Sequence, residues 1–288
     1  MPTRNERAQI ARETLDIIEK GYYLNSNGEK NNINRAVKEA IENSVLYTPD
    51  VFPKIEDKIK KIREEEKEQK KMEVVVNNET TLQAAERLVR EEGYKNTVCL
   101  NFASGTNPGG GFLQGSGAQE ESLARSSALY PTIAQMDEMY QKNRDYVSAL
   151  YKEYMIYSPQ VPVFRRDNGQ LLNEPYKVSF ITAPAVNAGV VRARESRENI
   201  TKIAETMKKR IKEILSLALV EGENVLVLGA FGCGVFKNDP EKVASYFKKY
   251  LLDNYKFKDL FEKVVFAVLD RSKKKTTYKI FKDKLNIT

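Results

Sequence analysis

The sequence predicts an α/β layered fold across residues 74–288, and three observations carry that reading. The runs 97–102, 225–230 and 264–269 are apolar almost without interruption, as in strands covered on both faces. Between them lie stretches with apolar residues at helical spacing, the longest marked by Ile200, Ile203, Ala204, Met207, Ile211, Ile214, Leu215 and Ala218. No Gly/Ser linker and no internal repeat divides the chain, so strands and helices alternate within one layered unit. Alternation alone does not separate a Rossmann-type arrangement from its relatives, but no G-x-G-x-x-G with an acid at the right distance follows a strand here.

Residues 1–73 read as a helical extension ahead of a core spanning 74–288, the two packed together. An apolar stripe over residues 8–18 ends at Gly21, a C-terminal helix signal. A polar loop over 25–34 leads to a short helix over 35–44. Ile55, Ile59 and Ile62 then sit at i, i+4 and i+7. The mixed charge run 63–68 reads as a solvated helix face. Residues 74–76 suit a short strand, and Thr80 or Thr81 suits the cap of a helix ending at Gly93. Beyond the strand at 97–102, a helix over 122–129 is expected to be disturbed by Pro131. Residues 132–177 are rich in Tyr and less regular, with a strand and turn at Val161, Pro162, Val163, Phe164, Asn168 and Gly169. A strand at 178–181 precedes the long helix. Asp239 caps a further helix with Pro240 at its first position, and a last helix covers 278–285.

Composition narrows the chemistry. Lys plus Arg is 47 and Asp plus Glu is 40, a formal net charge of +7, which suits an anionic partner. With 0 histidines, every Ser-His-Asp, Cys-His and His-metal scheme is excluded. The 2 cysteines, Cys99 and Cys233, do not make a zinc site by themselves, and neither a metal nor a cofactor is expected. No apolar run approaches the ~20 residues a membrane helix requires, nor does a signal peptide open the chain. The expected setting is cytoplasmic, with no membrane partner; a monomer is expected, although the sequence leaves the oligomeric state open.

The chemistry concentrates at residues 101–125. Gly109, Gly110 and Gly111 follow the strand 97–102, and Gln119, Glu120 and Glu121 open the next helix after a spacer. Consecutive glycines allow positive φ and close backbone approach, and clustered backbone N–H groups suit phosphate. A second glycine loop, Gly232, Cys233, Gly234, Val235 and Phe236, follows the strand 225–230. Two such loops leaving neighbouring strand ends suit a diphosphate in the crevice of an α/β sheet. Side chains adjacent on a helix diverge by ~100°, so Glu120 and Glu121 are expected to do different jobs. An acid among them has to hold a proton near neutral pH, which burial, the neighbouring Glu and ligand phosphates favour. Cys233 has no His to activate it as a nucleophile, and Cys99 reads as a core residue.

A glycine triplet, a short spacer and QEE, behind a strand and opening a helix, resemble the signature of the poly(ADP-ribose) glycohydrolase family in its bacterial type. The likeness covers most of the chain, including the phrase RAQIARETLDIIEKGYY near its start and an ITAP segment at 181–184. It implies a macrodomain-like three-layer α/β/α sandwich with a mixed central sheet and an N-terminal helical extension. It also implies hydrolysis of the ribose–ribose O-glycosidic bond of poly(ADP-ribose), without a metal, to release ADP-ribose. Glu121 is then the general acid and base, and Glu120 holds ribose hydroxyls. The resemblance assigns the diphosphate and distal ribose to Gly109, Gly110, Gly111 and the loop at 232–236, with Phe236 packing against the adenosine end of the ligand and orienting its base and terminal ribose. It sets Asn107 near the reacting ribose and Asn101 deeper, while Gln119 orients the loop or a glutamate. No match to the tyrosine-bearing insertion of the animal enzymes is evident within 132–177, which implies attack at chain ends. Two alternatives stand beside this reading: a macrodomain that binds ADP-ribose without cleaving it, and a hydrolase of another ADP-ribose linkage on protein, nucleic acid or nucleotide.

Overall fold

In the computed structural model, which describes residues 2–65, 71–253 and 257–285, helix α1 (Arg4–Lys20) begins the chain. Thr3 and Glu6 form a capping box at its start, and Gly21 closes it at φ 73°. The stretch expected as a polar loop is instead a small hairpin, β1 (Tyr22–Leu24) with β2 (Lys30–Asn32). Its strands are three residues long and largely polar, too short to leave a two-residue periodicity. Helix α2 (Asn34–Glu42), strand β3 (Val45–Tyr47) and helix α3 (Phe52–Glu65) follow. The charge run begins on the last turn of α3, and its positions 66–68 lie outside the described residues.

The rest of the chain supplies β4 (Glu73–Asn77), α4 (Thr81–Glu86, extended by a wider turn to Glu91), β5 (Thr97–Ala103), α5 (Gln119–Ser126), α6 (Leu129–Ala134) and α7 (Asp137–Arg144). Strands β6 (Met155–Arg165) and β7 (Leu171–Pro184) come next, then α8 (Ala188–Arg194), α9 (Arg197–Val220), β8 (Val225–Leu228), α10 (Pro240–Lys248), β9 (Lys263–Ala267) and α11 (Thr276–Leu285). Thr80 caps α4 through a capping box with Gln83, and Asp239 caps α10 with Pro240 in its first turn.

Seven strands form one sheet in the order β3-β6-β7-β5-β8-β9-β4. The β3-β6-β7 part is antiparallel and the β7-β5-β8-β9-β4 part is parallel. The two-residue side-chain period divides its core between two faces. Val98, Leu100, Leu226 and Leu228 join α3, α9, α10 and α11 on one side. Cys99, Val225, Val227 and Val265 join α1, α2, α4, α6 and α7 on the other. This is the mixed-sheet, three-layer α/β/α arrangement that the resemblance implied. The N-terminal 73 residues supply the edge strand β3 and side chains to both cores, Phe52 and Ile55 to one and Ile17 and Val37 to the other.

Two local expectations are corrected. Pro131 does not break a helix: α5 ends where Ser127 turns extended, at φ −147°, and Pro131 lies in the first turn of the separate α6. A proline there costs no intrahelical hydrogen bond. The irregular stretch 132–177 holds α7 and a long hairpin, whose strands β6 and β7 run 11 and 14 residues. Register shifts along that hairpin interrupt its pattern.

Candidate active site

β5 pairs with β8 only as far as Cys99, whereas its pairing with β7 continues to Ala103. Beyond Cys99 the outer edge of β5 is therefore free, and Gln119 fills the gap. Its Nε2 donates to Leu100 O (2.7 Å) and to Thr81 Oγ1 (3.1 Å), while its Oε1 accepts from Phe102 N (2.8 Å). The side chain thus completes a strand edge that would otherwise hold unpaired backbone groups, and it pins the first residue of α5 to the floor of the crevice.

Glu120 and Glu121 follow at once. Glu120 is 2 % exposed; its Oε2 accepts from Ser104 N (2.7 Å) and its Oε1 from Asn101 Nδ2 (3.4 Å). Asn101 is buried and also donates to Thr182 Oγ1 (3.1 Å). Glu121 is 8 % exposed, and its Oε1 accepts from Gly111 N (3.0 Å). Its Oε2 has no hydrogen-bond partner among the described residues. The divergence expected of helix neighbours does not separate the carboxylates, because both turn toward residues 109–111. A Cβ on Gly110 would lie 2.5 Å from Glu121 Oε1 and 3.2 Å from Glu120 Oε2. Burial pushes the Glu120 carboxyl up to about 8, with the charge of Glu121 adding to the shift and the N–H of Ser104 opposing it. The upward shift expected of an acid in this site is thus seen on Glu120.

The two glycine loops differ. Gly109 and Gly110 adopt φ 70° and 58°, and a Cβ on Gly111 would meet Ser116 Oγ at 2.5 Å. Their close approaches are to Glu121, Ser116, Phe112 and Tyr130, all within the protein. In the second loop Gly232 sits at φ 71°, tight against Ala185 and Asn238, whereas a Cβ on Gly234 would meet nothing within 4 Å. Gly232, Cys233, Gly234, Val235 and Phe236 all line a cavity of about 720 Å³ that also exposes Gln119, Glu120 and Glu121. Burial pushes the Cys233 thiol up to about 12, so it stays protonated. The Asn107 side chain is exposed, donates to Thr106 Oγ1 (3.2 Å) and does not line the cavity; its carbonyl accepts from Gly110 N (3.0 Å). The structure therefore gives Asn107 a part in holding the glycine turn.

Sequence reasoning missed the support behind the glutamates. Thr14 of α1 donates to Arg125 O (2.6 Å), and Arg7 and Arg4 donate to Gly115 O (2.7 Å) and Gln114 O (3.1 Å). Arg125 in turn donates to Ser116 O (2.6 Å). The extension thereby clamps the spacer between the glycines and α5. Asp167, from the β6–β7 turn, lines the cavity and accepts from Ser122 Oγ (2.7 Å) and Thr80 Oγ1 (2.6 Å). These contacts join residues distant in sequence, and polar side chains of common type leave no pattern by which to find them. Among the described residues no group of acids and cysteines is arranged to hold a metal, and no helix is long and apolar enough to cross a membrane.

Two buried carboxyls at the strand ends of a macrodomain-like sheet line a cavity with the second glycine loop, while Asn101 and Gly109, Gly110 and Gly111 lie behind them and do not line it; paired carboxyls of this kind suit the acid–base chemistry of the glycoside-hydrolase class. The profile of the microbial-type PARG catalytic domain matches residues 11–166. The chain is 39% identical to poly(ADP-ribose) glycohydrolase from Thermomonospora curvata bound to the inhibitor ADP-HPD, at a TM-score of 0.86, covering 98% of this chain and 100% of that one. It is 40% identical to poly(ADP-ribose) glycohydrolase from Deinococcus radiodurans in complex with ADP-ribose, at a TM-score of 0.79, covering 86% of this chain and 96% of that one. No curated protein matches. The chain belongs to the microbial-type poly(ADP-ribose) glycohydrolase (PARG) family.

Proposed function

We propose that this protein hydrolyses the ribose–ribose O-glycosidic bond of poly(ADP-ribose) and releases ADP-ribose. The observation that carries the reading is the pair Glu120 and Glu121, buried side by side against the Gly110 turn at the floor of the cavity. Family membership and the likeness to solved structures bound to ADP-ribose and ADP-HPD support it.

The charge of Glu121 adds to the burial that pushes the Glu120 carboxyl up. Glu120 is engaged at both oxygens, by Ser104 N–H and Asn101 Nδ2. Glu121 is held at Oε1 alone, which leaves Oε2 as the oxygen that presents a proton. In this reading Glu121 protonates the leaving ribose oxygen as the C–O bond breaks, and positive charge develops on the distal ribose. The resulting carboxylate then takes a proton from the water that attacks that carbon. Glu120 receives ribose hydroxyls. The loop at 232–236 offers backbone N–H groups to the diphosphate, with Phe236 as an apolar wall beside it. Asn101 acts from beneath, through Glu120. Attack at chain ends belongs to the same reading and rests on the sequence of 132–177; internal oligomers early in digestion would count against it.

The test is digestion of poly(ADP-ribose) with free ADP-ribose quantified, for wild type and Glu121→Gln. Glutamine keeps the shape and cannot supply the proton, so a loss of ~10²–10⁴-fold in kcat with ADP-ribose binding retained is expected. A wild type that binds ADP-ribose and leaves the polymer intact refutes the reading and turns attention to ADP-ribosylated protein or nucleic acid.

A further inference from the structure

Tyr151 has no role in the mechanism above, yet it stands where three loops of the site meet. It lines the cavity, and its ring packs against Phe236 with centroids 6.1 Å apart. A Cβ on Gly105, in the loop that leaves β5 toward the glutamates, would lie 2.7 Å from the same ring. Its hydroxyl faces the side chain of Asn187, at the N-terminus of α8 just beyond β7. One side chain therefore touches the loops that follow β5, β7 and β8.

Its backbone is unusual and held on every side. Tyr151 adopts φ 56°, a left-handed conformation that strains a non-glycine residue. Tyr151 N donates to Ser148 O (3.3 Å), and Lys152 N to Asn143 Oδ1 (2.8 Å). Glu195 accepts from Ala149 N and Ser148 Oγ, both at 2.6 Å. Arg210, 0 % exposed, donates to the carbonyls of Tyr151 (3.0 Å), Leu150 (3.4 Å) and Pro184. A fully buried guanidinium is costly to place, and here it ties the Tyr151 corner to the end of β7.

Position across the sheet says which part of a ligand this corner serves. The strand order β7-β5-β8-β9 sets the glutamates at the end of β5, with Tyr151 between that loop and its neighbours on either side. The residues that follow β9, the next strand beyond β8, also line the cavity. A ligand with its reacting sugar at Glu121 and its diphosphate along residues 232–236 lies in the same cavity that Tyr151 lines, between the loops its ring touches. We propose that Tyr151 is a positioning residue. Its ring, braced by Arg210 and backed by Gly105, forms with Phe236 an aromatic wall that holds the distal ribose of the scissile linkage against the glutamates. The C–H face of a furanose suits such a wall.

This inference rests on the glycohydrolase reading, so wild type is assayed alongside every variant. Absence of ADP-ribose release by wild type is the failure of that reading, not of this one. Tyr151→Ala is expected to lose at least ~10-fold in kcat, because a sugar misplaced by about an ångström reacts poorly, with a smaller change in the affinity for free ADP-ribose. Tyr151→Phe keeps the ring, loses only the hydroxyl facing Asn187 and is expected to stay within ~3-fold of wild type. Folded Tyr151→Ala with wild-type kcat overturns the proposal. So does Tyr151→Phe as impaired as Tyr151→Ala, since the hydroxyl rather than the ring would then matter. If Tyr151→Ala does not fold, Gly105→Ala decides: its methyl pushes the ring without removing it, and unchanged kcat there overturns the proposal.

Discussion

The two glycine loops look alike in the sequence and are used in opposite ways. In the first, glycine is needed because the protein approaches itself: the space a side chain at 110 would take is filled by the carboxylates of Glu121 and Glu120. In the second, Gly232 makes a tight turn against Ala185 and Asn238, while Gly234 faces open space along the cavity and Val235 is 79 % exposed. A glycine therefore signals close approach without saying what approaches. The first loop shapes the pair of carboxylates; the second opens toward the cavity.

Substitutions at matching positions sharpen that contrast. Gly110→Ala adds a methyl 2.5 Å from Glu121 Oε1 at a φ of 58°. Its expected effect is the largest: a fall of ~100-fold in polymer cleavage, measured as initial release of ADP-ribose. Full activity in that variant would mean that the first loop is not the mould of the carboxylates. Next comes Glu120→Gln, read through stability against pH. The folded carboxyl titrates at about 8 and a free one near 4.5, so the folded state keeps a proton that the unfolded chain has already released. Wild type therefore loses stability as pH rises from about 4.5 to 8 and levels off above. Glu120→Gln lacks this slope and should melt roughly 5 °C above wild type at pH 9. Equal melting temperatures across that range would show that Glu120 carries no such penalty.

Gln119→Ala strips the partners from Leu100 O and Phe102 N. It should cost about 2 kcal/mol in denaturant unfolding, whereas a change under ~0.5 kcal/mol would mean that water serves that strand edge equally well. The smallest effect is expected at Gly234→Ala, with stability within ~0.5 kcal/mol of wild type, since a Cβ there meets nothing within 4 Å. If instead it unfolds the protein, the second loop is as tightly built as the first and the contrast fails.

Local periodicity made much of the fold legible. The unbroken apolar runs became β5, β8 and β9, and the stripe from Ile200 to Ala218 became α9. The caps at Thr80, Asp239 and Gly21 stand where their residue types suggested. The strands β1, β2 and β3 were not legible, because three residues carry too little pattern. The break after Ser126 was missed because Ser127 leaves the helix to form a lone bridge with Val163, a pairing made in space rather than along the chain. At the site, residue types and spacing singled out Glu120, Glu121 and the glycines, and the family resemblance added Gln119. The bracing of the loop by Thr14, Arg4 and Arg7 of α1, the exposure of Asn107 and the corner at Tyr151 were out of reach.

The sequence by itself determined which segments are strands buried on both faces and where the main helices are capped, and it singled out two adjacent glutamates behind three glycines as the candidate acids of a chain without histidine. Those properties depend on neighbours a few residues apart, and side-chain periodicity and backbone freedom record them directly. Only the tertiary structure decided that Glu120 and Glu121 converge on one turn despite diverging from their helix. It alone decided that the first glycine loop faces them rather than open space, and that a fully buried Arg210 holds Tyr151 at the junction of three loops. The physical reason is that these arrangements are set by burial and by hydrogen bonds between residues tens of positions apart, which leave no periodic trace in the chain.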